Sequence, residues 1–261
     1  MKREGRPSEA SILNSRVIDR PIRPMFPKNT RTDTQIISTI MSSSGLSDFG
    51  WYGVTGASLS VMLAGVREFE GPVAGVRIAS DASGNFIFDP TFEQIETAHL
   101  DLTVAGTMDA ITMVESQGQE VSNDLMVKAF EYAHAIIKDL CNAQKDFLTE
   151  YTKSYTLPAT EITVVDTDPE VIAKVKSLVT TDEIKSLYNL GKLEFHDAMH
   201  DLVEATAEKL GYDKESNTPK MADIADSVKK VISEDMRHTV LQTRVRLDGR
   251  KCDEVRPVRA T

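Results

Sequence analysis

Arg16 and Arg20 stand four residues apart, the spacing that projects two side chains from one face of a helix. Arg23 follows just past a proline and could join them, and Lys2, Arg3 and Arg6 lie on the chain leading in. A guanidinium offers a planar fork of N–H donors that matches two phosphate oxygens, so this cluster suits a polyphosphate backbone. The competing reading is structural. Glu9 and Asp19 lie close in sequence and could neutralise the arginines in ordinary surface ion pairs.

Other chemistry-bearing residues are weaker candidates. His196 and His200 are four apart in a helical pattern, as metal ligands can be, but no glutamate follows the first and no third ligand is evident. Two solvated histidines are the expectation. Gly50, Gly53 and Gly56 precede a helix yet match neither phosphate-cradling glycine fingerprint, so close helix packing is their expected use. Ser42–Ser44 has no partnered histidine in sequence reach and reads as a loop. Asp248-Gly249-Arg250 reads as a turn.

The elements that position these residues fall into three zones. In residues 1–150 helix and strand are mixed. Ser8 caps a short helix carrying Ile12, Leu13 and Val17, and Pro21 and Pro24 end or kink it. Thr34–Met41, rich in Ile and Thr, reads as a strand, and Gly53–Leu63 as a helix. Gly71–Ile78, Asn85–Phe88 and the alternating Leu100–Val104 read as strands, and Ile111 and Met113 continue that pattern after a turn. Ser122 then opens a long amphipathic helix.

Residues 151–167 read as a linker, since Thr156–Asp168 contains Pro158 and no helical period. Residues 168–243 read as all-helical, with Asp168-Pro169 and Thr218-Pro219 each pairing a cap with proline at the first helical position. Leu193–Leu210 is amphipathic and stops at Gly211. Residues 244–261 are too short for a core of their own.

The net charge of −10 argues at face value against a polyanion partner, but its distribution does not. Residues 1–33 hold eight cations against four anions, and residues 241–261 hold six against three. Two basic ends therefore flank an acidic body, a reason to consider such a partner. No apolar run is long enough to span a bilayer, and the start has no signal-peptide pattern. Cys141 and Cys252 stand alone without metal-type spacing, so a reducing, cytoplasmic setting is the default expectation.

Two segments carry a family resemblance. Arg3–Glu9, followed by Ser15-Arg16-Val17-Ile18-Asp19-Arg20-Pro21-Ile22-Arg23-Pro24-Met25-Phe26-Pro27, resembles the arginine-rich stretch of the first ribonuclease PH-like core of polynucleotide phosphorylases. Gly56-Ala57-Ser58, Leu100-Asp101-Leu102 with Val104–Thr107, and Met113–Ser116 follow in the same order. Arg246–Arg250 with Arg256-Pro257 is similar to the beginning of a second such core.

The resemblance implies an α+β fold: a partial ribonuclease PH-like (ribosomal protein S5 domain 2-like) core over 1–150, lacking its opening strands, and then the all-α domain. Residues 244–261 would begin the second core. It implies phosphate-dependent 3′-to-5′ degradation of RNA to nucleoside diphosphates by the intact enzyme, this portion contributing RNA binding and assembly. A non-catalytic RNA-binding or structural module is the alternative. Implied partners are single-stranded RNA, two further copies in a homotrimer, and components of an RNA-degradation complex, with no membrane. Lys2, Arg3, Arg6, Arg16, Arg20 and Arg23 would bind RNA.

Lys2 and Arg3 fall on the paired basic positions of a family loop whose aromatics are absent here, and each stacked base is worth about 1–3 kcal/mol where an aromatic exists. Magnesium and the co-substrate inorganic phosphate would be held by the second core. Where the active copy carries a metal-binding acid this chain has His99, and Asp101 has no second carboxylate nearby in sequence. No catalytic or metal residue is therefore assigned here, and the isolated chain is expected to be inactive.

Overall fold

The computed structural model describes residues 5–216 and 218–257. They divide into two compact units, meeting in sequence at Val165 and Asp166.

The first unit is built on a four-stranded antiparallel sheet of β1 (Ala74–Ser80), β2 (Phe86–Phe88), β3 (Leu100–Gly106) and β4 (Ile111–Gly118), in the order β2-β1-β3-β4. Side chains alternate between its two faces. Val76, Ile78, Leu100, Leu102 and Val104 pack against Ala129, Ala133, Ile137 and Cys141 of the long helix α4 (Asn123–Thr152). Ser122 caps that helix, its side chain accepting from the Leu125 N–H.

Val73, Ala105 and Met113 lie in a separate cluster with Val54, Ala57 and Val61 of α2 (Tyr52–Leu63) and Ile22 of α1 (Glu9–Ile22). A short helix, α3 (Phe92–Glu96), links β2 to β3. Gly75 lets α2 approach β1 closely, because a Cβ there would stand 2.8 Å from the Trp51 carbonyl oxygen.

Pro21 sits in the last turn of α1, which ends at Ile22 ahead of Pro24, so the expected end of the helix is met, while two other expectations for this unit change. The proline forgoes one amide bond in the last turn, and the Arg23 N–H resumes the ladder by reaching the Asp19 carbonyl. The chain then tightens into a 3-10 turn over Arg23–Met25. Thr34–Met41 forms no strand: β propensity needs a partner ladder, and among the described residues this stretch has none. Ile37, Ile40 and Met41 are exposed there. Residues 160–165 are laid along the first unit. The Thr163 carbonyl accepts from the Arg31 N–H at 2.8 Å, the Val165 N–H donates to the Asn29 carbonyl at 3.0 Å, and Thr160 and Val66 bridge.

The second unit is helical: α5 (Pro169–Leu178), α6 (Thr181–Ser186), α7 (Lys192–Lys209) and α8 (Met221–Thr243). Val171 and Val175 of α5, Leu202 of α7 and Ile224, Val228 and Ile232 of α8 form its core. Asp168 caps α5, accepting from the Glu170 N–H at 2.9 Å, with Pro169 at the first helical position. Gly211 terminates α7 in the left-handed region, at φ +70°. Thr218-Pro219 does not cap α8. Thr218 is engaged in a turn with Asp213, and Lys220 precedes the helix without a side-chain cap.

Candidate functional site

The orientation of α1 decides where the arginines point. Ser8 opens the helix by accepting from the Ser11 N–H at 3.2 Å, and α1 then seats against α2. Gly50 and Gly53 make the seat possible: a Cβ on Gly53 would lie 2.5 Å from Ile18 Cδ1, and one on Gly50 2.6 Å from Asn14 Oδ1. Two of the three candidate glycines thus serve close packing, while Gly56 meets nothing. With Ile22 and part of Ile18 turned inward, Arg16, Arg20 and Arg23 are left at the surface.

Their surroundings differ. Arg16 is exposed and has no side-chain partner among the described residues, and Arg6 is exposed ahead of the helix. Arg20 Nη2 meets Glu115 Oε2 of β4 at 2.6 Å. Arg23 forks onto Asp19, one arm being Nε to Oδ1 at 3.1 Å. Lys2 and Arg3 lie outside the described residues. The competing structural reading is therefore half realised: Arg20 and Arg23 are ion-paired, and among the described residues Arg6 and Arg16 are not. Both pairs are solvent-accessible, and such pairs contribute only about 0–1 kcal/mol. A phosphate can displace or share them at small cost.

Arg23 also lines a cleft of about 860 Å³ between α1 and residues 26–38. Lys28 lines the same cleft, and it has no ion pair among the described residues. Nothing in its spacing signals this place, because Lys28 lies beyond the helix whose face Arg16 and Arg20 share.

Asp101 is fully engaged. Arg77 Nε and Nη2 reach its two carboxylate oxygens at 2.9 and 2.7 Å, and Nη1 reaches Asp48 Oδ2 at 2.7 Å. The Arg77 side chain is only 17% exposed, and its pKa is raised, chiefly by the hydrogen bonds to Asp101. Such an Asp101 does not fit a metal ligand, and no group of three or more His, Cys, Asp or Glu among the described residues could hold a cation. Arg77 was missed in sequence, although a lone cation within the apolar run Ala74–Ser80 signals a carboxylate partner on a neighbouring strand.

The remaining candidates are plain. His196 and His200 are exposed, each 3.9 Å from a neighbouring carboxylate, Asp197 and Glu204. Ser43 and Ser44 accept from the backbone of their own loop. Asp248 pairs with Arg250 at 2.9 Å across a turn whose Gly249 has φ +78°, and that pairing holds the Asp248 carboxyl below its usual range. No described helix is long and apolar enough to cross a membrane.

Comparison with known proteins adds the family. Residues 1–67 match the 3′ exoribonuclease family, domain 1, and residues 71–136 match its domain 2. Residues 170–251 match the polyribonucleotide nucleotidyltransferase RNA-binding domain. The chain thus joins both domains of the 3′ exoribonuclease family to a polyribonucleotide nucleotidyltransferase RNA-binding domain, in that order.

Curated relatives agree across 99% of the chain. The polyribonucleotide nucleotidyltransferase of Thermotoga neapolitana is 38% identical over 267 residues, and that of Persephonella marina 37% over 260. This chain belongs to the polyribonucleotide nucleotidyltransferase family. It spans 36% and 35% of the length of those two relatives. A rice (Oryza sativa) Rrp46 crystal structure superposes with a TM-score of 0.42 at 9% identity, covering 56% of this chain and 67% of that one. That likeness is too slight to carry weight.

Proposed function

We propose that this chain supplies RNA binding and subunit assembly to a phosphate-dependent 3′-to-5′ exoribonuclease that releases nucleoside diphosphates. The observation that carries the reading is the order of matches, exoribonuclease domains 1 and 2 and then the RNA-binding domain. The exposed cationic face at α1 supports it: Arg16, Arg20 and Arg23 present guanidiniums that fork onto phosphate oxygens, and Arg6 is exposed ahead of the helix. On this reading the single-stranded backbone is held by charge, while inorganic phosphate and magnesium act in a portion of the enzyme outside this chain. Assembly is as a homotrimer in the cytoplasm, serving mRNA degradation, with partners in a larger RNA-degradation complex.

Binding of a labelled single-stranded oligoribonucleotide to the 261-residue chain, measured across salt concentrations, tests the reading. Replacing both Arg16 and Arg20 with alanine is expected to flatten the log–log slope by about 0.7 for each phosphate that is no longer neutralised. An unchanged slope removes those arginines from the site.

A further inference from the structure

We propose that the cleft between α1 and residues 26–38 is a subsite for one phosphate-bearing unit of single-stranded RNA, with Lys28 and Arg23 as its phosphate ligands. The proposal rests on the RNA-binding reading above and adds a location and a residue to it. The cleft's volume of about 860 Å³ lies within the roughly 300–1,000 Å³ of pockets that enclose small ligands. A single nucleotide with part of its neighbour fits such a space.

The lining has the chemistry of a nucleotide site. Lys28 brings an ammonium that has no ion pair among the described residues, and hydroxyl-bearing Thr32 and Thr34 stand along the same wall. Ile36 supplies apolar surface for a base or ribose face. Asp19 also lines the cleft, and an isolated carboxylate there would repel phosphate. Its two oxygens are instead engaged by Arg23 Nε and Nη2, which leaves the remaining guanidinium N–H groups free to donate. With Asp19 neutralised by Arg23, Lys28 carries the uncompensated charge of the wall.

That wall is also held in place, which lowers the ordering cost of binding. Thr32 Oγ1 accepts from the Thr163 N–H at 2.8 Å, and the Arg31 N–H donates to the Thr163 carbonyl at 2.8 Å. Thr30 Oγ1 donates to the Pro27 carbonyl at 2.8 Å, closing the turn that presents Lys28. The strap at 160–165 thus fixes the segment from 29 to 32 without using the Lys28 side chain.

Fluorescence anisotropy of a labelled single-stranded oligoribonucleotide on the 261-residue chain tests this, with Lys28→Ala, Lys28→Arg and Lys28→Ala/Arg23→Ala compared with wild type. Lys28 is exposed, so circular dichroism is expected to show all three folded. Each removed cation should weaken binding roughly threefold to tenfold, the double variant should lower the salt slope by about 1.4, and Lys28→Arg should bind as wild type does.

If the double variant keeps the wild-type affinity and slope, the cleft is not a subsite, although the RNA-binding reading stands. Inorganic phosphate is titrated at matched ionic strength in a second arm. If it occupies the wild-type site without displacing RNA, and the double variant abolishes that occupancy alone, the cleft takes free phosphate and the RNA assignment is overturned. If the wild-type chain binds no RNA at any salt, the broader reading fails and the subsite fails with it.

Discussion

Arg77 holds Asp101 through two parallel hydrogen bonds, Nε to Oδ1 at 2.9 Å and Nη2 to Oδ2 at 2.7 Å, across the β1–β3 ladder. The same guanidinium reaches back to Asp48, just ahead of α2, whose other oxygen accepts from the Gly50 N–H at 3.1 Å. One cation therefore ties the middle of the sheet to the turn that sets α2. Because α1 seats on α2 through Gly50 and Gly53, the Arg77 triad also fixes the platform beneath the exposed arginines. The part of the sheet that holds Asp101 is committed to structure.

Removing Arg77 should be costly. The three side chains are 17–26% exposed, so Arg77→Ala leaves two half-buried carboxylates without their cation, at a cost of about 3 kcal/mol. Asp101→Asn keeps the shape and one acceptor and should cost about 1–2 kcal/mol. Trp51 is the single tryptophan of the chain, buried in the first unit, so its fluorescence during urea unfolding reports that unit alone. If Arg77→Ala unfolds at the wild-type urea midpoint, the triad contributes nothing.

A second expectation concerns chemistry. Arg77 engages both carboxylate oxygens of Asp101, which holds that carboxylate in the sheet and away from a reacting phosphate. The purified chain, given RNA, inorganic phosphate and magnesium, is expected to release no nucleoside diphosphate above a mock preparation. Release that survives repurification and is lost in Asp101→Asn would show that Asp101 is freed from Arg77 during catalysis.

Local signals made most of the fold legible in the sequence. Ser8, Ser122 and Asp168 cap the helices they were expected to cap, because a side-chain oxygen beside free N–H groups is a local bond. The alternation at Leu100–Val104 marked β3, whose two faces have separate cores. Non-local relationships were less legible. Thr34–Met41 has the residues of a strand but no ladder to join, and propensity cannot report that. Thr218-Pro219 has cap chemistry, but a turn with Asp213 uses it. At the site, the spacing of Arg16 and Arg20 was readable, whereas the pairing of Arg20 with Glu115 spans 95 residues. Lys28 belongs to the cleft only because a distant strap holds its wall.

The Tyr52 phenol should titrate late. Its hydroxyl donates to Asp89 Oδ2 at 2.6 Å, and burial first, then that bond and the charge of Asp89, push its pKa from 10.0 up to about 12. A raised folded pKa means the contribution to stability is complete below pH 10.0 and is lost as pH rises toward about 12, since the unfolded chain ionises first. The ring stacks on Trp51 at 3.7 Å, so the tyrosinate should quench that tryptophan as it forms. Tyr52→Phe should abolish the quenching step near pH 12. A wild-type step centred near pH 10 would contradict this account.

Arg16 and Arg20 should respond unequally to substitution, for a reason the ion pairs supply. Arg16→Ala removes one unpaired cation and nothing else. Arg20→Ala removes a cation and also leaves Glu115, 53% exposed on β4, as an uncompensated negative charge beside the same face. A phosphate strand passing α1 then loses an attraction and gains a repulsion, so at low salt Arg20→Ala should weaken RNA binding more than Arg16→Ala does. Salt screens that repulsion over a Debye length of roughly 10 Å at 0.1 M, so added salt should narrow the gap between the variants. Adding Glu115→Gln to Arg20→Ala should restore affinity to near that of Arg16→Ala. If the double variant binds no better than Arg20→Ala alone, the carboxylate is not facing the RNA, and Arg20 acts as a structural tether between α1 and β4.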